Sequence, residues 1–354
     1  MENLSRRTAA FDVMRLVAIA AVVMTHVAFL VISSAPNPSA AFWSANLLDS
    51  LSRVGVPLFL MISGALMLNE ERDVPPKKMV KAAWSLFVLT LVWSVLYALW
   101  YELAMPLLQH EGFSLRAFAV AVVDGHYHFW YLYMLIGLYL ITPLLRLFVK
   151  RENARLIWWL LALGTVVTLC VPLLNFFGNT VVGGEDILQR YVQKYEFGFL
   201  TEYLLYYLAG WYLTHVAWDK KYRPWLYAAG AVGFLLTAGL TACFSTPDNR
   251  LYDLFYANGS VNVFFFSAAV FAFVLARCEG KTVAKDAPVA RLSALSFGVY
   301  IVHIVVLAVV SRVGALLPGA LLPMLFNFVV TFVVSYAVVW VLSKLPLLKR
   351  LVRQ

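Results

Sequence analysis

Phe11–Leu30 reads FDVMRLVAIAAVVMTHVAFL, a run apolar enough to cross a bilayer that nevertheless carries Asp12, Arg15 and His26. About 20 mostly apolar residues in a helix span a 30 Å hydrocarbon layer. An ionisable side chain in that layer costs at least ~2.5–3.5 kcal/mol on insertion scales, so it marks a functional interior. The eleven steps from Arg15 to His26 turn through about 1100°, roughly 20° past three full turns. The two side chains therefore share one face, separated by about 16 Å of depth. Asp12 precedes Arg15 by three residues and can pair with it on that face. A cation near one end and a titratable imidazole deep inside suit a charged donor and proton chemistry.

The rest of the chain repeats this pattern of apolar runs. Of its 354 residues, 62% are hydrophobic and 13% charged, which excludes an ordinary soluble globular domain. Short alternating segments of about ten residues, the mark of a membrane β-barrel, do not dominate. Apolar runs lie near 12–33, 45–68, 80–102, 129–149, 156–176, 198–217, 224–245, 256–277, 292–312 and 320–343. They predict an all-α polytopic membrane protein of about ten transmembrane helices. Twenty-one of the 28 Lys and Arg fall in one set of alternating connections, from Arg6 and Arg7 to Arg350 and Arg353. Only Arg116, Arg190, Lys194, Arg250 and Arg312 fall in the other set. That bias places both termini in the cytoplasm. It also accounts for the net charge of +9 without a nucleic-acid partner.

The first run lacks a small-residue cleavage site and reads as a retained span. No repeat and no linker is evident, so residues 1–354 read as a single membrane-embedded domain. Cys170, Cys243 and Cys278 show no metal-ligand spacing and are expected as small buried apolar side chains. The outward loops near 103–128 and 177–197 are expected to cover or shape a site. The second contains VVGGEDILQRYVQKYEF, a candidate interfacial helix.

Further polar groups recur inside the runs. Arg53 falls in mid-membrane in SRVGVPLFLMISGALML, where Gly55 and Pro57 are expected to interrupt the helix. Ser63 and Gly64 suit a close helix approach. Asp124, His126 and His128 cluster before Trp130 and Tyr131, without a fourth group that would complete a metal site. Ser296, Tyr300 and His303 share one helix face through intervals of four and three. Glu202 enters its span from the outer side, toward the expected depth of His26. No phosphate loop, HExxH zinc motif or GxSxG elbow is present.

Taken in order, these segments resemble the acyltransferase-3 family of integral membrane O-acyltransferases. The resemblance rests on Arg15 with ten residues before His26, on R-x-G-V-P-L-F with the following S-G from Arg53 to Gly64, and on HFWYL with the later Tyr139 and Pro143. It closes on S-x-G-x-Y-x-x-H from Ser296 to His303. It spans nearly the whole chain and implies transfer of acetyl from cytoplasmic acetyl-CoA to a hydroxyl of an envelope glycan or lipid-linked saccharide. The stand-alone type implied here includes relatives acting on enterobacterial common antigen, and places the chain in the bacterial cytoplasmic (inner) membrane. The expected catalytic residues are His26, Arg15, Arg53 and His303. The expected donor- or acceptor-binding residues are Asp12, Ser63, His128, Trp130, Tyr131, Glu202, Ser296 and Tyr300. Acetyl-CoA is a co-substrate rather than a resident cofactor, and no metal is expected. A transporter or flippase for a lipid-linked sugar is the alternative reading. The acceptor sugar and the oligomeric state are not legible in the residues.

Overall fold

The computed structural model of the chain describes residues 6–109, 112–182, 201–216, 219–246, 251–284, 286–346 and 348–352. A three-residue strand β1 (Arg6–Thr8) leads into α1 (Ala9–Ile32), α2 (Ala40–Ser52), α3 (Gly55–Met67) and α4 (Pro76–Ala98). A π-helical stretch, Leu99–Ala104, follows α4. Then come α5 (Leu115–Asp124), α6 (Trp130–Phe148), α7 (Ala154–Gly164), α8 (Val171–Val182), α9 (Glu202–His215), α10 (Arg223–Phe244) and α11 (Val261–Arg277). Strand β2 (Thr282–Ala284) precedes α12 (Pro288–Gly314) and α13 (Leu321–Leu342).

Among the described residues, nine helical stretches are long and apolar enough to cross a membrane. The chain is an all-α polytopic membrane protein. Its outward surface agrees with that, for Leu147 is 71% exposed, Leu235 65% and Trp84 65%. Large apolar side chains standing out in such numbers need a lipid rather than a water environment. The sixth expected span differs. It corresponds to α9, which has 14 residues, and the expected start at 198–200 lies outside the described residues.

The chain divides into two compact units, one of Met1–Leu66 with Ala154–Gln354 and the other of Met67–Asn153. In the first, α1 packs on α2, α11, α12 and α13, while α10 lies on α11 and α2. Strand β1 pairs antiparallel with β2, Arg6 opposite Ala284 and Thr8 opposite Thr282. The Ala9 N–H then donates to the Lys281 carbonyl at 3.2 Å, so α1 starts level with the approach to α12.

The second expected span is two helices. Arg53 and Val54 separate α2 from α3, immediately before Gly55 and Pro57. Pro57 sits in the first turn of α3, where its missing N–H has no intrahelical partner to lose. Helices α3 and α9 then approach very closely. A Cβ on Gly64 would lie 1.8 Å from the Tyr207 carbonyl oxygen, and one on Gly210 would lie 2.0 Å from that of Met61. Only glycine fits at either place, which is how small residues let membrane helices touch through their backbones.

In the second unit, α4 packs on α5 and α6. The expected outward loop at 103–128 is therefore largely helical, holding the end of the π-helical stretch, a short helix Met105–Leu108 and α5. Gly125 ends α5 at φ 71°, and a Cβ there would meet the Tyr133 hydroxyl at 2.6 Å. The expected interfacial helix at 181–197 falls almost wholly outside the described residues.

Arg146 ties the connection between α3 and α4 to the C-terminal end of α6. Its guanidinium donates to the carbonyls of Met67, Asn69 and Arg72 at 2.7, 2.8 and 2.7 Å. Hydrogen bonds from a charged group are worth roughly 1.5–3 kcal/mol. Arg146→Ala is expected to lower stability by about that amount, because three carbonyls lose their donor at once. Arg146→Lys should recover only part of it, since an ammonium lacks the planar fork. Thermal midpoints of the purified protein in detergent check both; equal midpoints for wild type and Arg146→Ala would remove this role.

The cysteines correct their expectation. All three are free, Cys243 is exposed, and Cys170 and Cys278 are only half-buried. In a membrane helix an outward thiol meets lipid, so its modest polarity carries no penalty that would drive it inward.

Candidate functional site

Asp12 is the first anchor. It lies in the first turn of α1, 1% exposed, and pairs with Arg15 at 3.4 Å. The Ser293 hydroxyl of α12 donates to the same Asp12 oxygen at 2.7 Å. The Ser296 hydroxyl donates back to the Ser293 carbonyl at 2.8 Å. Asp12 thus ties α1 to α12 while it holds Arg15, whose side chain keeps 22% exposure.

Farther along the same two helices, His26 and His303 meet. Their ring centroids are 5.2 Å apart and the planes tilt by 49°. His303 is fully buried, and its Nδ1 lies 2.6 Å from the Tyr300 carbonyl. A carbonyl can only accept, so Nδ1 carries the proton and Nε2 is the lone-pair nitrogen of the neutral ring. The Tyr300 ring packs 6.0 Å from the His303 ring. Two imidazoles from separate helices, one with its tautomer fixed by backbone, can take up and hand on a proton.

Arg53 is the third charged group. It bonds Asp49 at 2.5 Å and lies 4.2 Å over the centre of the Tyr256 ring. The Tyr256 hydroxyl donates to the Asn46 side-chain oxygen, and the Asn46 amide donates to the Ala238 carbonyl at 2.9 Å. Asp49, Tyr256 and Asn46 were not among the residues expected from sequence. Asp49 had a signal, for it precedes Arg53 by four residues, the spacing of a helical ion pair. Tyr256 had none, because 203 residues separate it from Arg53.

Asp49 is fully buried. Removing one partner of a buried ion pair costs about 3–5 kcal/mol, and Arg53 retains 20% exposure, so screening reduces this to roughly 2 kcal/mol. Asp49→Leu is expected to destabilise by that amount. The double variant Asp49→Leu with Arg53→Met should regain most of it, because no lone charge is then left inside. Unfolding of the three proteins in detergent checks the cycle; a double variant no better than the single would count against the pairing.

Ser63 is half-buried beside Gly64 on α3, and Glu202 opens α9 with its carboxyl carbon 3.8 Å from where a Cβ on Gly259 would stand. His128, Trp130 and Tyr131 belong to the second unit. There His128 and Tyr131 are buried, whereas Trp130 is 39% exposed. His126 and His128 face each other with Nδ1 atoms 2.7 Å apart, so one ring donates and the other accepts. Tyr97 packs against both, and Tyr101 stacks on His126. Among the described residues, no group of three or more His, Cys, Asp or Glu is placed to hold a metal ion.

Helices long enough to span a bilayer and lipid-facing side chains define a multi-pass membrane protein, and two of its long helices bring a histidine pair together. The family model for the acyltransferase domain matches residues 8–344, nearly the whole chain. The chain belongs to the acyltransferase-3 family and is a membrane acyltransferase. No curated protein and no solved structure matches it.

Proposed function

We propose that this chain is an O-acetyltransferase of the bacterial cytoplasmic membrane. It moves acetyl from cytoplasmic acetyl-CoA to a hydroxyl of an envelope glycan or lipid-linked saccharide. Residues 1–354 act as one membrane-embedded domain without a resident cofactor, and acetyl-CoA is a co-substrate. The observation that carries the reading is the His26–His303 contact between α1 and α12, within a chain of the acyltransferase-3 family. Membership of that family weighs against the transporter and flippase alternative.

In the proposed reaction His26 takes the proton of the acceptor hydroxyl as that oxygen attacks the thioester carbonyl. The carbon–sulfur bond breaks, and CoA leaves as the thiol after receiving a proton from the imidazolium. Arg15 and the basic inner loops draw the CoA phosphates, and Arg53 balances charge that develops nearer the bundle centre. Arg15 is too far from His26, at about 16 Å of depth, for both to touch one carbonyl. Asp12, Ser63, His128, Trp130, Tyr131, Glu202, Ser296 and Tyr300 position donor or acceptor.

The test is release of CoA. Purified protein in lipid vesicles is given labelled acetyl-CoA and mixed envelope glycans, and both CoA release and label transfer are followed. Wild type is expected to release CoA and label a glycan. No release with any glycan would overturn the proposal.

A further inference from the structure

The S-x-G-x-Y-x-x-H segment contains one residue that the chemistry above leaves unused, Gly298. At roughly 100° per residue, Ser296, Tyr300 and His303 stand at about 300°, 340° and 280° around α12 from Ser293. Gly298 stands at about 140°, on the side of the helix opposite the centre of that face. The face turned to α1 carries the Ser293 bond to Asp12 and, about 15 Å along, the His303 ring against His26. Gly298 lies behind the midpoint, about 7.5 Å along the axis from each.

A single helical turn fills the space behind it. The chain leaves α13 at Leu342 and folds back. The Lys349 N–H donates to the Leu345 carbonyl at 2.8 Å, and the Leu351 N–H to the Leu348 carbonyl at 2.9 Å. The returning turn, α14 (Lys349–Val352), packs on α12 and α13. Its Lys349 and Arg350 are exposed, whereas Val352 is fully buried. A Cβ on Gly298 would lie 2.6 Å from Val339 Cγ1, 2.9 Å from the Val352 carbonyl oxygen and 3.0 Å from Val352 Cβ. Glycine is what admits the turn so close to the α12 backbone. Burying a valine asks only for apolar neighbours, not for backbone against backbone.

The placement has a mechanical consequence. Helix α12 is gripped at its front by Asp12 and pressed from behind halfway to His303. With that pressure removed, α12 can retreat into the space Val352 fills, and the His303 ring retreats with it. A misplacement of about 1 Å in a reacting constellation can cost on the order of 10²-fold in rate. We propose that Val352, seated against Gly298, is a positioning residue that holds α12 forward and so keeps the His303 ring on His26. The proposal rests on the acyl-transfer reading for what the ring contact does, but not for its first test.

That test measures the contact itself. His26→Cys and His303→Cys are combined in one chain, membranes are treated with iodine as a small apolar oxidant, and the linked peptide is quantified by mass spectrometry. The pair is expected to cross-link. Adding Val352→Asp, whose buried charge expels the turn, should slow the cross-link on the order of tenfold, because a disulfide tolerates little separation. An equal rate with and without Val352→Asp would overturn the proposal. So would a pair that never cross-links, since no contact would then be there to hold.

The second test is CoA release by the otherwise natural chain. Val352→Asp is expected to lower kcat per folded molecule by roughly 10–10²-fold, with the half-maximal concentrations of acetyl-CoA and glycan unchanged. Val352→Ile, still branched and apolar, should restore most of it. Gly298→Ala combined with Val352→Asp should be little worse than either alone, because both remove one contact. A lower folded yield with kcat intact would make the turn a structural anchor only and sink the idea. A wild type that releases no CoA would instead defeat the acyl-transfer reading and leave the cross-link to judge Val352.

Discussion

His26→Ala is expected to lower CoA release by about 10²–10⁴-fold, the range of a lost general acid or base. The substitution removes one of two rings whose centroids stand 5.2 Å apart, and leaves His303 with its Nδ1 held by the Tyr300 carbonyl. His26 is only half-buried, so the folded population should survive. That separates the result from simple destabilisation, and elution of the detergent-solubilised variant at the wild-type position checks it. His303→Ala is expected to fall by a similar factor if the two rings act as a unit, and the double variant should then be little worse than either single. Retention of wild-type release by a well-folded His26→Ala protein would remove His26 from the chemistry.

The second large effect falls on folding. Gly64→Ala and Gly210→Ala each set a methyl group against backbone, at 1.8 and 2.0 Å. Overpacking of a core usually costs about 1–3 kcal/mol because side chains give way. Here the obstacle is a carbonyl within a helix, so α3 and α9 must separate along the whole crossing. Either variant is expected to lose most of its folded yield, read as the fraction eluting as a sharp monodisperse peak in detergent. Gly137→Ala is the control, because a Cβ at Gly137 meets nothing within 4 Å. If Gly64→Ala matched that control, the close crossing would be wrong.

The architecture was legible because the bilayer imposes one requirement, long apolar helices, and Phe11–Leu30 announces it directly. The break between α2 and α3 was legible for an equally local reason, the Gly55 and Pro57 pair. The length of α9 was not, since apolar composition fixes where a helix can enter lipid and not how many residues it keeps. The loop at 103–128 misled because α5 is helical but short, and its companion α4 lies outside the window that reads it. Within the site, Asp12 with Arg15 and Ser296 with Tyr300 and His303 follow from helical spacing. The partnership of His26 with His303 spans 277 residues and depends on how α1 lies against α12, which spacing within one helix does not encode. The same holds for Tyr256 beneath Arg53.

The short ladder of β1 with β2 has a mechanical meaning. It and the Asp12–Ser293 bond fasten α1 to α12 at one end, while the two imidazoles sit farther out along the same parallel pair. The helices form tweezers with their hinge at the ladder and their tips at His26 and His303. From Asp12 to His26 the arm is about 21 Å, so a splay of roughly 5° would part the tips by about 2 Å. A few degrees of wedge driven in by a substrate is thus enough to take the rings from contact to a gap one atom wide, without breaking a bond at the hinge.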